Sequence, residues 1–82
     1  MRLVIANPTS CGGKAIETLE QFSAFLRQKG LPFLVYNTKP ENNTPEIRQL
    51  ISKHSIENIT ILGGDGTINI VLNALPHLNF SL

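Results

Sequence analysis

The run Gly63-Gly64-Asp65-Gly66-Thr67 brings together residue types that phosphate chemistry uses. It follows Ile59-Thr60-Ile61-Leu62, which reads as a strand, and precedes Ile68 to Leu75, which reads as a helix stopped by Pro76. A turn from strand into helix presents the first N–H groups of that helix and the positive end of its dipole, a natural seat for phosphate. Glycines there allow positive φ and let a ligand approach the main chain. Thr67 can cap the helix or donate its hydroxyl to a phosphate oxygen. Asp65 is the chemically informative member, because a carboxylate repels phosphate unless a cation or a proton intervenes. It suits holding Mg²⁺, directly or through water, or taking the proton of an attacking hydroxyl. Both roles belong to phosphoryl transfer. The alternative is a connecting turn in which Asp65 only supplies charge to the helix start. Spacing alone leaves the two level.

Better-known phosphate motifs do not fit. Gly12-Gly13-Lys14 matches the end of a P-loop, but Pro8 stands at its first glycine and Ala15 replaces its Ser/Thr. Gly64-Asp65-Gly66 begins a dinucleotide fingerprint, but Asn69 occupies the last glycine position. Lys14 opens a helix, where the dipole disfavours a cation, so contact with a phosphate is a further role for it. No metal-ligand set is assigned. His54 and His77 lack Cys or Asp partners at metal spacing and read as packing or surface residues. Cys11, the lone cysteine, reads as a small hydrophobe.

The elements that must position these residues follow a simple order. Leu3-Val4-Ile5-Ala6 is an apolar run ended by Asn7-Pro8, which predicts a strand buried on both faces. Ala15, Ile16, Leu19, Phe22, Phe25 and Leu26 share one helical face, and Lys29-Gly30 ends that helix. Phe33-Leu34-Val35-Tyr36 is a second strand, and residues 38–43 form a polar loop. Thr44-Pro45-Glu46 reads as N-cap, N1 proline and acidic first turn, with Ile47, Leu50, Ile51 and His54 on one face. Strand and helix thus alternate three times, predicting an α/β protein: a three-layer α/β/α arrangement around a parallel, Rossmann-like sheet in the order 2-1-3. Ligands of such sheets bind beyond the carboxyl ends of the strands, where both glycine-rich turns fall.

Composition sets the outer limits. With 82 residues there is room for one small domain. Seven basic against six acidic side chains leave a net charge of +1, which argues against a nucleic-acid partner. A single cysteine excludes an internal disulfide, and no apolar run is long enough to cross a bilayer, so a cytoplasmic address is expected.

Gly63-Gly64-Asp65-Gly66-Thr67-Ile68-Asn69, continuing to Val71-Leu72-Asn73-Ala74-Leu75, resembles the signature of the diacylglycerol kinase catalytic family. Sphingosine, ceramide and bacterial lipid kinases belong to the same group, and NAD kinases share the GGDGT core. Asn7-Pro8-Thr9-Ser10 is similar to the Asn-Pro-x-Ser-Gly turn of that family. The resemblance implies ATP and Mg²⁺ as cofactors and a lipid hydroxyl as acceptor of the γ-phosphoryl group, in phospholipid metabolism. It implies that Gly63, Gly64, Asp65, Gly66, Thr67, Ile68 and Asn69 wrap the ATP phosphates, with Asp65 catalytic. Asn7, Pro8, Thr9, Ser10 and Gly12 would border the same site, as would Thr38, whose type and place match a threonine of bacterial members. An ordinary loop hydroxyl is the other reading of Thr38.

The chain departs from the family pattern twice. Cys11 stands at a usual glycine, and Ile70 at a usual glutamate one turn into the third helix. The family fold continues with a further nucleotide motif and a β-rich domain. Asn79 to Leu82 reads as the start of a fourth strand, so residues 1–82 are expected to be the N-terminal nucleotide-binding part of a longer enzyme, inactive alone. An NAD kinase-like enzyme and a non-catalytic nucleotide-binding fragment are the competing readings. The acceptor, peripheral membrane contact and homo-oligomerisation are left open.

Overall fold

A computed structural model describes residues 1–8, 13–40 and 42–74, with the side chain of Asp65 outside the description. The elements are β1 (Arg2–Ala6), α1 (Lys14–Gln28), β2 (Phe33–Asn37), α2 (Thr44–Lys53), β3 (Asn58–Leu62) and α3 (Asp65–Ala74). The fourth strand expected near residues 79–82 lies outside the described residues.

The three strands form one parallel sheet in the order β2-β1-β3. This order and the right hand of parallel crossovers together dictate the layers. The step from β1 to β2 runs one way across the sheet and the step from β2 to β3 runs back past β1, so α1 and α2 fall on opposite faces. Leu3, Ile5, Tyr36, Ile59 and Ile61 form the face that packs under α2 and α3, whose Ile47, Val71 and Ala74 complete the cluster. Val4 and Ala6 point the other way along β1 and are fully buried there, on the side of α1. Ala15, Ser23 and Leu26 are the buried residues of α1. The expected α/β/α sandwich is what forms.

Helix ends follow local chemistry, with two departures. Gly30 adopts φ +69° just past the end of α1, a conformation that glycine takes without strain. Asn43, not Thr44, is the N-cap of α2, which moves Thr44 and Pro45 into its first turn. Helix α2 stops at Lys53. His54 turns to extended backbone while its N–H still reaches Leu50 O at 3.1 Å, so it ends the helix instead of extending its apolar face. The last turn of α3 has no cation of its own, and Arg48 of α2 supplies one, donating from Nε to Ala74 O at 3.0 Å. That bond also ties α2 to α3.

The apolar stripe of α1 is narrower than its sequence suggests. Ile16 and Phe25 are about half exposed, at 46% and 49%. They flank the buried line through Ala15 and Leu26, and a single helix over one face of a small sheet covers only that line. Phe25 instead carries Lys29 Nζ 5.7 Å from its ring centroid.

Stability should follow this division. Ile5→Ala, in the fully buried central strand, is expected to cost about 2–5 kcal/mol. Ile16→Ala should stay within about 0.5 kcal/mol of the parent protein. Denaturant titration of both variants measures the difference.

Candidate functional site

The sheet register fixes where the site can be. Ala6 pairs with Asn37 on one side and Leu62 on the other, so residues 7, 38 and 63 are the first to step past a common line. Backbone bonds carry the pairing just beyond it: Asn7 N donates to Leu62 O at 3.0 Å, and Thr38 N to Ala6 O at 2.8 Å. The turn after β1 therefore starts beside the turn after β3, at the carboxyl edge of the sheet.

Within the second turn each described residue has a distinct position. Gly64 O accepts from Thr67 N at 3.0 Å and Ile68 N at 3.2 Å, which starts α3 and leaves the N–H groups ahead of Thr67 without an intrahelical acceptor. A Cβ on Gly63 would lie 2.5 Å from Thr67 Oγ1 and 3.4 Å from the Asn7 Cβ. Gly63 thus lets two turns close on each other. A Cβ on Gly66 would meet nothing within 4 Å. Neither glycine has the positive φ that the sequence suggested; what each supplies is the absence of a side chain.

A cleft of about 560 Å³ opens at this edge, between the loop after β2 and the first turns of α3. Asn7, Thr38 and Gly66 line it together, so three residues singled out from the sequence share one surface. Ile70 lines it too, putting an apolar side chain where the family resemblance leads one to expect a carboxylate. Thr67 is buried and Ile68 packs partly against the core, so neither forms the cleft wall, and Asn69 is exposed outside it. Pro8 is half-buried. Thr9, Ser10 and Gly12 lie outside the described residues, as does the side chain of Asp65.

Two observations bear on whether a phosphate-bearing group fits. The Thr67 hydroxyl is buried and meets no hydrogen-bond partner among the described residues, at the helix turn where an anion would sit. Gly66 carries a helix-propensity penalty of about 1 kcal/mol against alanine, yet no protein atom occupies its Cβ position, and it faces the cleft. Packing does not explain that glycine; room for a ligand does. Both observations fit a phosphate group at the start of α3.

No motif in the sequence singles out the other side of the cleft. Lys39, Asn42, Asn43, Thr44 and Asn73 line it as well. Lys39 Nζ pairs with a Glu46 carboxylate oxygen, and Tyr36 Oη donates to Asn43 Oδ1 at 2.8 Å. The density of carboxamides in Asn42-Asn43-Thr44 was the available signal, but it reads equally as an ordinary polar loop. Burial, and then the neighbouring Glu46 carboxylate, hold the Tyr36 phenol above its usual pKa of 10.0. Among the described residues no cluster of His, Cys, Asp and Glu is placed to hold a metal ion, and no helix is long and apolar enough to cross a membrane.

The sequence model of the diacylglycerol kinase catalytic domain matches residues 1–82. The chain belongs to that family. It is 35% identical over 78 residues to a protein named "Probable diacylglycerol kinase 3" from Caenorhabditis elegans, covering 95% of this chain and 9% of that one. It is also 35% identical over 77 residues to "Protein translocase subunit SecA" from Antithamnion sp., covering 90% of this chain and 9% of that one. The two names differ, and the family match carries the assignment because it runs from the first residue to the last. This diacylglycerol kinase-family chain spans 9% of the length of either relative.

Two outcomes follow from the site geometry. Gly63→Ala should destabilise by about 1–3 kcal/mol, because Thr67 must give way, while Gly66→Ala should be neutral or stabilise by up to about 1 kcal/mol. Thermal unfolding of the pair checks this. The raised pKa of Tyr36 means the folded state keeps a proton that the unfolded chain releases from about pH 10 upward. Its contribution is complete below pH 10 and lost as pH rises through the folded value. The difference in unfolding free energy between the parent and Tyr36→Phe should therefore shrink above pH 10.

Proposed function

We propose that the chain is the nucleotide-binding part of an ATP-dependent lipid kinase that transfers a γ-phosphoryl group to a diacylglycerol-like hydroxyl. The observation that supports this most is the meeting of Asn7, Thr38 and Gly66 around one cleft at the carboxyl edge of the sheet, beside the N-terminal turn of α3. Membership of the diacylglycerol kinase catalytic family supplies the reaction class. When bound, ATP supplies the phosphoryl group and Mg²⁺ offsets its charge.

The roles of the chain's own residues follow from their chemistry. The N–H groups opening α3 donate to phosphate oxygens, and Gly66 leaves space for that approach. Thr67 offers the hydroxyl that lacks a described partner. Asp65 takes the acceptor proton or holds the metal ion. Asn7 and Thr38 place polar groups on the walls, and the family resemblance assigns Thr9, Ser10 and Gly12 to the same ligand.

Ile70 favours a second reading. An apolar side chain lines the cleft where a carboxylate is expected, and a site without that charge suits a module that binds nucleotide without turnover. Variants of the full-length protein separate the two. Asp65→Asn should lower turnover by about two orders of magnitude while changing ATP affinity little. Gly64→Val should weaken ATP binding itself, because a branched side chain crowds the approach to the turn. Thr67→Val should also weaken ATP binding while unfolding no earlier than the parent, since it removes a buried hydroxyl that has no hydrogen-bond partner among the described residues. An Asp65→Asn enzyme with full turnover would remove Asp65 from the chemistry. A parent protein that binds ATP with no transfer to any lipid would favour the binding module.

A further inference from the structure

The loop between β2 and α2 contains a side chain that the phosphate reading does not use. Asn43 is the N-cap of α2, a position where asparagine ordinarily turns its carboxamide toward the helix's own N–H groups. It makes no such bond here. Asn43 is 3% exposed, and its amide points back along the loop. Oδ1 accepts from Lys39 N at 3.0 Å and from Tyr36 Oη at 2.8 Å, and Nδ2 donates to Lys39 O at 3.1 Å. One carboxamide therefore serves both the N–H and the C=O of Lys39, as the facing peptide of a neighbouring strand would.

The location gives this bracket its consequence. Strand β2 ends at Asn37, and Thr38 N makes one last bond to the sheet. Beyond it, Thr38, Lys39 and Pro40 form the cleft wall that faces Gly66 and Ile70 of α3. Without the Asn43 amide the peptide groups of Lys39 lose the partners that hold this wall at the sheet edge. The Tyr36 phenol anchors the amide in turn, and Tyr36 belongs to the core cluster. The wall is thereby fastened to the interior.

We infer that Asn43 is a positioning residue, which holds the main chain of residues 38–40 as a preformed wall so that a nucleotide entering the cleft does not first have to order it. This rests on the nucleotide reading above. A loop that is competent only part of the time weakens apparent affinity by that fraction, whereas chemistry on the bound ligand is unaffected. The signature of positioning is thus a rise in KM for ATP with kcat retained.

The experiment uses the full-length protein and three variants. Asn43→Asp replaces the donor to Lys39 O by an anionic oxygen, whose repulsion from that carbonyl turns the carboxylate toward the N–H groups opening α2 and releases both peptide groups of Lys39. Tyr36→Phe removes the anchor alone and leaves both bonds to Lys39. Leu26→Ala destabilises the opposite face, under α1. Amide exchange of Lys39 in the nucleotide-free protein should rise by about tenfold in Asn43→Asp relative to the amide of Ile5, and far less in Leu26→Ala. KM for ATP should rise by about tenfold in Asn43→Asp with kcat within about twofold, and Leu26→Ala should leave KM unchanged at a comparable loss of Tm. Tyr36→Phe should fall between parent and Asn43→Asp in both measurements. Unchanged Lys39 exchange in Asn43→Asp overturns the inference, and so does a KM that rises as much in Leu26→Ala. A parent protein that shows no ATP binding overturns the nucleotide reading instead. Lys39 exchange then still decides whether the amide pins the wall.

Discussion

The fold depends on one strand being paired on both sides. Leu3, Val4, Ile5 and Ala6 have no exposed surface, and β1 exchanges ladder bonds with β2 and β3 in parallel register. Such a strand must satisfy every peptide group inside the sheet and every side chain against a covering layer. Its two neighbours are reached by crossovers of one hand, so the covers fall on opposite faces. The layers, the common carboxyl edge and the meeting of two turns there all follow.

What could be read from the sequence was whatever obeys a local rule. Apolar runs of strand length, a helical stripe and a terminating glycine each carry their structure within a few residues. The strands were accordingly expected within a residue of where they stand, and the sheet order with them. Asn43 could not be read this way. Its role depends on Tyr36 lying beneath it and on Lys39 lying beside it, a tertiary arrangement that converts an N-cap residue into a bracket. Thr44-Pro45-Glu46 satisfied the cap rule equally well, and the rule has no means of seeing the loop. Ile16 and Phe25 failed for the opposite reason, since periodicity records which face is apolar and not how much of it a narrow sheet can cover.

The two conspicuous glycines of the second turn divide along the same line. Gly63 is explained within the chain, because Thr67 and Asn7 close on it. Gly66 is not, because its Cβ position is open. A motif read as one unit thus separates into a packing residue and a residue that leaves space. Only the second speaks directly to a ligand.

Charge around the cleft sharpens what that ligand must be held by. Lys39 is the cation on its wall, and Glu46 already meets that charge at a partly exposed site where solvent weakens the pair. Among the described residues of this wall, attraction for an anion does not rest on a cluster of cations. The start of α3 contributes its own attraction, since its N–H groups and dipole provide positive potential within about one turn of the helix end. A field of such short range works only if the ligand is brought close, and closeness is what the missing side chain at Gly66 and a wall held at fixed distance provide. Affinity built this way depends on geometry more than on net charge. It should therefore be sensitive to substitutions that move the wall by small amounts and comparatively insensitive to salt.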